Sequence, residues 1–366
     1  MKFDYTEEQR LLAESVRRFV AQDYTFEARK ATVASREGFS PRVWSTFAEL
    51  GLLGIPFAPE HGGFGGGAVD LMAVMEAFGE ALVVEPFLPT LMAGRLVARG
   101  SPELAASIVP AVIEGRTKLS LAWLERDTRY DAAPLATTAT ADGAGWRLDG
   151  EKLAVLHASA ADALVVSARV PEGVGLFLVE RGAAGLGIEE HATFDEMRAA
   201  GVTLQGVRAA RIGSGDALAS LEGEIDFATA LVCAEAVGAM KSANDTTLEY
   251  LKTRRQFGMA IGSFQALQHR MVDMVVEYEQ ARSMASLACA KVDSALDARE
   301  RGRIVSAAKI RVADACRKVS QEAVQLHGGM GMTDELKVSH TFRRLTAIGS
   351  QLGDADHHLE RFARLA

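Results

Sequence analysis

The sequence contains few cysteines, no long apolar run and no excess of positive charge. Its three cysteines, Cys233, Cys289 and Cys316, are odd in number and lie far apart in helix-like segments. This pattern excludes a disulfide framework and predicts buried thiols in a reducing compartment.

Signals for membranes and nucleic acids are also missing. The first ten residues, MKFDYTEEQR, lack the apolar core of a secretory signal, and no uncharged run approaches about 18 residues. We therefore expect a cytoplasmic protein without a membrane partner. The formal net charge of −8 argues against a nucleic-acid or anionic-membrane surface. With 48% hydrophobic residues, the chain can still bury a sizeable core.

The chain divides into three regions of different pattern. In residues 1–117, Thr6 and Gln9 have the spacing of a capping box, and apolar residues from Leu11 to Val20 recur at helical spacing. In residues 118–220, short β-prone runs such as ALVVSARV, GLFLVE and GVTLQGVRAARI alternate with turn signals at Asp142-Gly143 and Asp149-Gly150. No long amphipathic helix separates these runs, which favours an antiparallel sheet or barrel.

Residues 221–366 are again helical and contain three long apolar stripes and a shorter terminal one. The third stripe should end at Gly328-Gly329, since glycine commonly terminates helices. We therefore predict an α+β multidomain protein with an N-terminal α-helical domain, a middle antiparallel β-domain and a C-terminal four-helix bundle.

Two motifs in the last region allow either a binding or a structural interpretation. In TRRQFG, Arg254 and Arg255 precede Phe257, so the segment could bind a diphosphate and an adenine, or could end a helix with basic residues and a buried ring. In QLHGGMGM, residues 325–332, the glycines allow close approach of a ligand or cap a helix.

The segment LGDADHHLER, residues 352–361, looks like a metal site. However, adjacent side chains such as His357 and His358 point about 100° apart on a helix, which makes shared coordination difficult. The chain has no second ligand cluster of the HxxxH type. We therefore predict no metal.

The motifs occur in an order that resembles the acyl-CoA dehydrogenases over the whole chain: RxxFG after a long helix, then Gln265, then QxxGGxG, then a short terminal helix. The resemblance implies an FAD cofactor, a homo-oligomer arranged as a dimer of dimers, and electron-transfer flavoprotein or a similar acceptor. The FAD contacts that it implies are Arg254, Phe257 and Gln265, with Gln325, Gly328 and Gly329 presented from a neighbouring subunit.

In that family a carboxylate removes the α-proton of an acyl-CoA while a hydride leaves the β-carbon for the flavin. The family pattern places Asp354 at the position of the base and Asp356 at a neighbouring cofactor-binding position. Aspartate reaches about 1.5 Å less far than the usual glutamate. Glu235 is the alternative base, whereas the other family position for a base holds Ala228. A third alternative is that this chain has no base.

The β-region departs from the family pattern. The segment LAWLERDTRY keeps Glu125, which with Asp226 is implied to contact substrate, but Leu124 replaces a hydroxyl donor. Ala154 occupies the position of an aromatic residue that flanks the flavin. Such losses of polar contacts imply an unusual substrate or a subunit that provides only half of an FAD site.

The terminal GDxDHHL motif resembles enzymes of steroid-degrading bacteria, which can be α2β2 heterotetramers in which one chain of each pair lacks the base. The resemblance therefore implies a sterol- or bile-acid-derived CoA ester, which the small Ala154 and Ala158 would accommodate. Two functions remain open at this point. The chain is either an acyl-CoA dehydrogenase in its own right or a base-deficient partner subunit.

Overall fold

The computed structural model describes residues 6–143 and 145–366, which form two compact units. The helical unit comprises the described residues up to Lys30 together with Ala68–Val83 and Thr229–Ala366. The barrel unit comprises Ala31–Gly67 and Val84–Ala228. Within the described residues the helices are α1 Glu7–Asp23, α2 Phe26–Ala34, α3 Pro41–Glu49, α4 Ala68–Ala81, α5 Phe87–Gly100, α6 Pro102–Ile113, α7 Leu218–Thr253, α8 Gln265–Val292, α9 Ala298–His327, α10 Lys337–Ser350 and α11 Ala355–Arg364. The strands are β1 Leu119–Ala122, β2 Thr138–Asp142, β3 Gly145–Leu156, β4 Ala163–Val170, β5 Gly173–Glu180, β6 Leu186–Ala192, β7 Arg198–Ile212, β8 Arg255–Gln256 and β9 Met259–Ala260.

None of these described helices is both long and apolar enough to cross a membrane. The three cysteines are buried and free, and burial raises the pKa of each thiol, so they pack as small apolar groups as predicted.

Helix α1 begins with the predicted capping box, in which the Thr6 hydroxyl accepts from the Gln9 backbone and the Gln9 side chain accepts from the Thr6 backbone. Its buried face carries Val16, Phe19 and Val20 and packs against α4. The assignment of Leu11 to this apolar face was wrong, because its side chain is 58% exposed.

In the barrel unit, seven strands form one sheet in the order β1-β4-β2-β3-β7-β5, and β6 pairs with β7. Because β5 also pairs with β4, the sheet closes on itself around an apolar core. Most pairings are antiparallel, as predicted, but β1 and β2 each pair with β4 in parallel. Strand β6 was not predicted, since its segment LGIEEHA has only two large apolar residues, Leu186 and Ile188.

The two predicted turns in this sheet had different outcomes. Asp142-Gly143 does connect β2 to β3. Asp149-Gly150 does not form a turn, because it lies inside β3 where the register against β7 shifts between Leu148 and Gly150. Gly150 has φ +150°, and a Cβ there would lie 2.6 Å from the Thr137 hydroxyl. The glycine therefore marks a bulge with a close contact.

In the helical unit, α8, α10 and α11 pack against α9. Helix α9 ends at His327, and Gly328 follows in the left-handed region with φ +61°, as predicted for a glycine stop. Helices α4 and α7 cross through glycines: a Cβ on Gly79 would lie 1.9 Å from the Glu235 carbonyl oxygen, and one on Gly238 would lie 1.8 Å from that of Glu76. The two backbones therefore touch directly at this crossing.

Candidate functional site

A short hairpin of β8 and β9 follows α7 and exposes the basic-aromatic motif. Phe257 lies at its tip with φ +55°, and its side chain is 90% exposed while its ring meets Phe264 edge to face. The Arg254 side chain is exposed and makes no hydrogen bond or ion pair with any other described residue. The predicted buried ring is therefore wrong, whereas α7 does end at Thr253, directly before the two arginines. The Arg254 guanidinium and the Phe257 ring are both available to a ligand.

The glycine segment after α9 is also open. Gly328 and Gly329 are exposed, and a Cβ added at either would meet no atom of this chain within 4 Å. Gln325 in the last turn of α9 and Gln265 at the start of α8 are exposed as well. Exposed glycines, amides, a guanidinium and an aromatic ring are the kinds of group that contact the diphosphate and adenosine parts of a dinucleotide, so their roles as FAD contacts stay a prediction.

Asp354 is the N-cap residue of α11. Its Oδ1 accepts a hydrogen bond from the His357 backbone N–H at 2.8 Å, and its side chain is partly buried. The carboxylate is thus directed to its own helix. Asp356 lies in the first turn of α11 and is exposed.

Lys309 on α9 holds the loop that carries Asp354. It is fully buried, and its Nζ donates to the carbonyls of Ile348 at 2.8 Å, Gly349 at 3.2 Å and Gly353 at 2.7 Å. The first two carbonyls belong to the last turn of α10, where helices leave acceptors unpaired. Burial lowers the pKa of Lys309. Lys309 was not predicted to lie near the site, because a lysine in a helical sequence is usually solvent-exposed.

His358 fixes the same loop from the other end. Its buried ring places Nε2 3.0 Å from the Leu352 carbonyl and Nδ1 3.3 Å from the Ser306 hydroxyl. Burial lowers the pKa of His358 from 6.5 to about 3. The imidazole is therefore neutral in the folded protein, with Nε2–H donating to the carbonyl.

Because His358 is buried in its neutral form, the free energy of unfolding of the protein depends on pH. Because the pKa of His358 is depressed on folding, its contribution to stability is present above pH 6.5 and is lost as the pH falls towards 3. Between pH 7 and pH 5 the loss should be about 2 kcal/mol. We expect His358→Gln, which keeps a donor and cannot be protonated, to remove that part of the slope in urea unfolding. His191→Gln, at an exposed histidine of β6, is the matched control, and an equal loss of slope in both variants would contradict the assignment.

Glu235 forms a buried ion pair. Its two oxygens accept from Nε and Nη2 of Arg344 on α10 at 2.6 Å and 2.7 Å, and both side chains are about 6% exposed. A bidentate pair of this kind uses both carboxylate oxygens. The carboxylate therefore joins α7 to α10 and has no oxygen left over for a proton transfer without breaking the pair.

Glu125 is likewise engaged inside its own unit. Its Oε1 accepts from Lys152 Nζ at 2.7 Å and from the Thr137 backbone at 3.1 Å, and its Oε2 accepts from the Ala136 backbone at 2.6 Å. Burial lowers the pKa of Lys152 to about 8. Desolvation opposes ionisation of Glu125, but the bonds from Lys152 hold its pKa below the ordinary value. This buried pair joins segments of the barrel unit. A contact between Glu125 and substrate stays a prediction.

The other predicted positions of the barrel unit offer no side-chain donors. Leu124 is partly buried and its carbonyl accepts from the Leu153 backbone at 2.9 Å, while Ala154 is exposed at φ +48°. Asp226, near the start of α7, is fully buried. Across the described residues, no group of three His, Cys, Asp or Glu side chains could hold a metal ion.

Three family models cover almost all of the chain. They are described as the N-terminal, middle and C-terminal domains of acyl-CoA dehydrogenase and match residues 6–116, 120–207 and 218–365. Among curated relatives, acyl-CoA dehydrogenase FadE27 of Mycobacterium tuberculosis is 29% identical over 374 residues, covering 100% of this chain and 98% of the relative.

Solved structures match over the same length. The structure described as "Tcur3481-Tcur3483 steroid ACAD G363A variant" has a TM-score of 0.90 and 31% identity, covering 98% of this chain and 97% of its own. The ChsE4-ChsE5 complex from Mycobacterium tuberculosis has a TM-score of 0.91 and 27% identity, covering 100% and 98%.

Proposed function

Because the chain belongs to the acyl-CoA dehydrogenase family of FAD-dependent oxidoreductases, we propose that it acts in the α,β-desaturation of an acyl-CoA thioester as one subunit of a two-chain enzyme. A paralogous chain, in an α2β2 assembly, supplies the carboxylate base. The observation that carries this proposal is that Asp354 caps α11 while Glu235 is held by Arg344. A base must reach the substrate proton. Both oxygens of Glu235 are bonded to Arg344, and the cap directs the Asp354 carboxylate to its own helix.

The helical unit supplies the nucleotide-binding part of the cofactor site. The Arg254 guanidinium binds the diphosphate, and the exposed Phe257 ring packs on the adenosine. Gly328 and Gly329 of a neighbouring subunit let the cofactor approach the backbone. Gln265 and Gln325 add amide hydrogen bonds. FAD supplies the hydride acceptor when it is bound. Asp356 places an exposed negative charge at a predicted phosphate contact, which weakens binding to this chain alone.

The barrel unit offers few polar contacts to a flavin ring. The side chains of Leu124 and Ala154 carry no hydrogen-bond donors, so they cannot form hydrogen bonds with the polar edge of a flavin. Glu125 stabilises the unit through Lys152 instead of orienting a ligand. We therefore assign to this chain the adenosine end of one FAD site and to its partner the flavin end and the base.

The proposed substrate is a sterol- or bile-acid-derived CoA ester. Its support is the resemblance of the GDxDHHL motif together with a structural relative that is described as a steroid ACAD. The small side chains of Ala154 and Ala158 leave room for fused rings. We place the reaction in the cytoplasm and assign electron-transfer flavoprotein or a similar protein as the acceptor. The proposed domains are 1–117, 118–220 and 221–366.

Purification of the tagged chain from its native cells tests this proposal. We expect an equimolar second chain of the same family and about one FAD per pair, with flavin absorbance that is bleached anaerobically by a steroid side-chain CoA ester. A purified homo-oligomer with a full complement of reducible FAD would contradict it.

One observation favours the other candidate function, a self-sufficient enzyme with Asp354 as its base. Only Oδ1 of Asp354 is bonded, and its Oδ2 has no hydrogen-bond partner among the described residues. Asp354→Asn separates the two functions, since asparagine also caps helices and so preserves the fold. A subunit without the base should keep turnover within about twofold in the assembled enzyme. A loss of about 10²-fold or more would identify Asp354 as the base.

A further inference from the structure

The barrel unit contains a cavity of about 640 Å³ that is lined by none of the predicted site residues. Its walls come from the segment after α2, the start of β1, the turn between β3 and β4, the end of β5, and strand β6. Pockets for small molecules typically measure about 300–1,000 Å³. We propose that this cavity binds a small amphipathic organic acid, which is a monoanionic carboxylate with an apolar body.

One wall is held in place by Arg198 on β7. Its Nη2 donates to the Ser35 carbonyl at 3.0 Å, and its Nη1 bonds Glu190 on β6 at 3.1 Å. These bonds fasten the segment 36–39, which lines the cavity, to the edge of the sheet. The Glu190 carboxylate is thereby neutralised and does not repel an anion.

The opposite wall is joined at Asp162 in the turn between β3 and β4. Its Oδ2 accepts from the backbone N–H of Lys118 at 2.7 Å and from the Nζ at 3.2 Å, and its carbonyl accepts from the Arg181 backbone at 3.1 Å. Three chain segments are therefore bonded together, and the charge of Lys118 is already paired. A cavity with walls bonded in this way is largely formed before a ligand arrives.

Three polar groups of the lining remain without partners in the part of the chain that the structure describes. The guanidinium groups of Arg36 and Arg181 make no hydrogen bond or ion pair with described residues, and the buried Ser159 hydroxyl has no hydrogen-bond partner. Because the Ser159 hydroxyl oxygen is inaccessible to solvent, the ligand contacts of the lining come from the two exposed guanidinium groups. Both can donate to an acidic ligand.

The net charge of the cavity lining favours a monoanionic acid as the ligand. Once the pairs of Asp162 and Glu190 are set aside, Arg36, Arg181 and Glu37 leave one net positive charge in the lining. A carboxylate carries one negative charge and matches the planar fork of a guanidinium, whereas a phosphate monoester carries nearly two near neutral pH.

The remaining lining residues suit an apolar body. Phe39, Leu186 and Ile188 are all partly exposed, and they contribute one aromatic and two aliphatic surfaces to the cavity. Covering these surfaces with a hydrocarbon chain removes apolar area from water and favours binding. A free inorganic anion would gain nothing from them.

Isothermal titration of the full-length chain with octanoate tests the proposal. We expect one site per chain, and we expect saturating acyl-CoA to leave the binding unchanged. Arg36→Gln and Arg181→Gln should each raise Kd at least tenfold, because each removes a charge-assisted hydrogen bond. Ile188→Asp should abolish binding. Arg208→Gln, at an exposed arginine of β7 outside the cavity, should leave Kd within twofold.

Four outcomes would overturn the proposal: no binding, competition by acyl-CoA, an equal loss in the Arg208→Gln control, or tighter binding of octyl phosphate than of octanoate. The last would assign the cavity to a phosphate. Melting temperatures show that each variant is folded before its Kd is compared. None of these readouts needs FAD or turnover, so they are independent of the proposed desaturation.

Discussion

Gly238→Ala will destabilise the helical unit by at least about 4 kcal/mol and will sharply lower the yield of folded protein. At this position a Cβ would lie 1.8 Å from the carbonyl oxygen of Glu76 and 2.9 Å from its Cα. Both atoms belong to the backbone of α4, so no flexible side chain can move aside. The only relief is to separate α4 from α7, which would uncover apolar side chains at the crossing. The shift of the urea unfolding midpoint measures the effect.

Gly349→Ala is the matched control. Gly349 also lies within a helix, α10, but a Cβ there would meet no atom within 4 Å. Alanine should therefore be neutral or stabilise by up to about 1 kcal/mol, because it loses less backbone entropy than glycine on folding. Similar destabilisation in both variants would show that the crossing of α4 and α7 is not as close as described.

Arg344→Met will destabilise the protein by about 3–5 kcal/mol, because it leaves the buried Glu235 carboxylate without its partner. In the native protein, two hydrogen bonds of 2.6 Å and 2.7 Å join these groups. The double variant Glu235→Met with Arg344→Met removes both charges and should recover most of the loss. A double-mutant cycle in urea then gives their coupling energy.

The same pair separates a structural Glu235 from a catalytic one. If Glu235 only joins α7 to α10, a folded Glu235→Gln assembly keeps its turnover while its unfolding midpoint falls. A Glu235→Gln assembly that keeps its stability and loses its turnover would contradict the structural role. It would identify Glu235 as the catalytic base.

Local sequence patterns predicted most elements of the fold. The capping box of Thr6, the turn at Asp142-Gly143 and the glycine stop of α9 depend on neighbouring residues alone, and each is confirmed. The prediction of a turn at Asp149-Gly150 was wrong because the same dipeptide also occurs in β-bulges. The pairing of β3 with β7 decides between the two structures. Strand β6 was missed because it pairs through its backbone and exposes most of its side chains.

Position along the chain could suggest candidate site residues but not the residues that contact them. Exposure of Arg254 and Phe257 depends on a hairpin that their own segment forms. In contrast, Glu235 is paired 109 positions away by Arg344, and the Asp354 loop is fastened by Lys309 from another helix. These contacts arise only when the helices pack, so the sequence could not show that Arg344 pairs with Glu235 or that Lys309 holds the Asp354 loop.

The FAD content of the chain produced alone, in cells that lack any paralogue, tests the central claim most directly. Flavin absorbance near 450 nm against protein concentration gives the ratio of FAD to chain. On the proposal that this chain holds only the adenosine end of the FAD site, we predict a nearly colourless protein with far less than one FAD per chain. A stoichiometric flavoprotein that a CoA ester bleaches in the absence of oxygen would contradict the account.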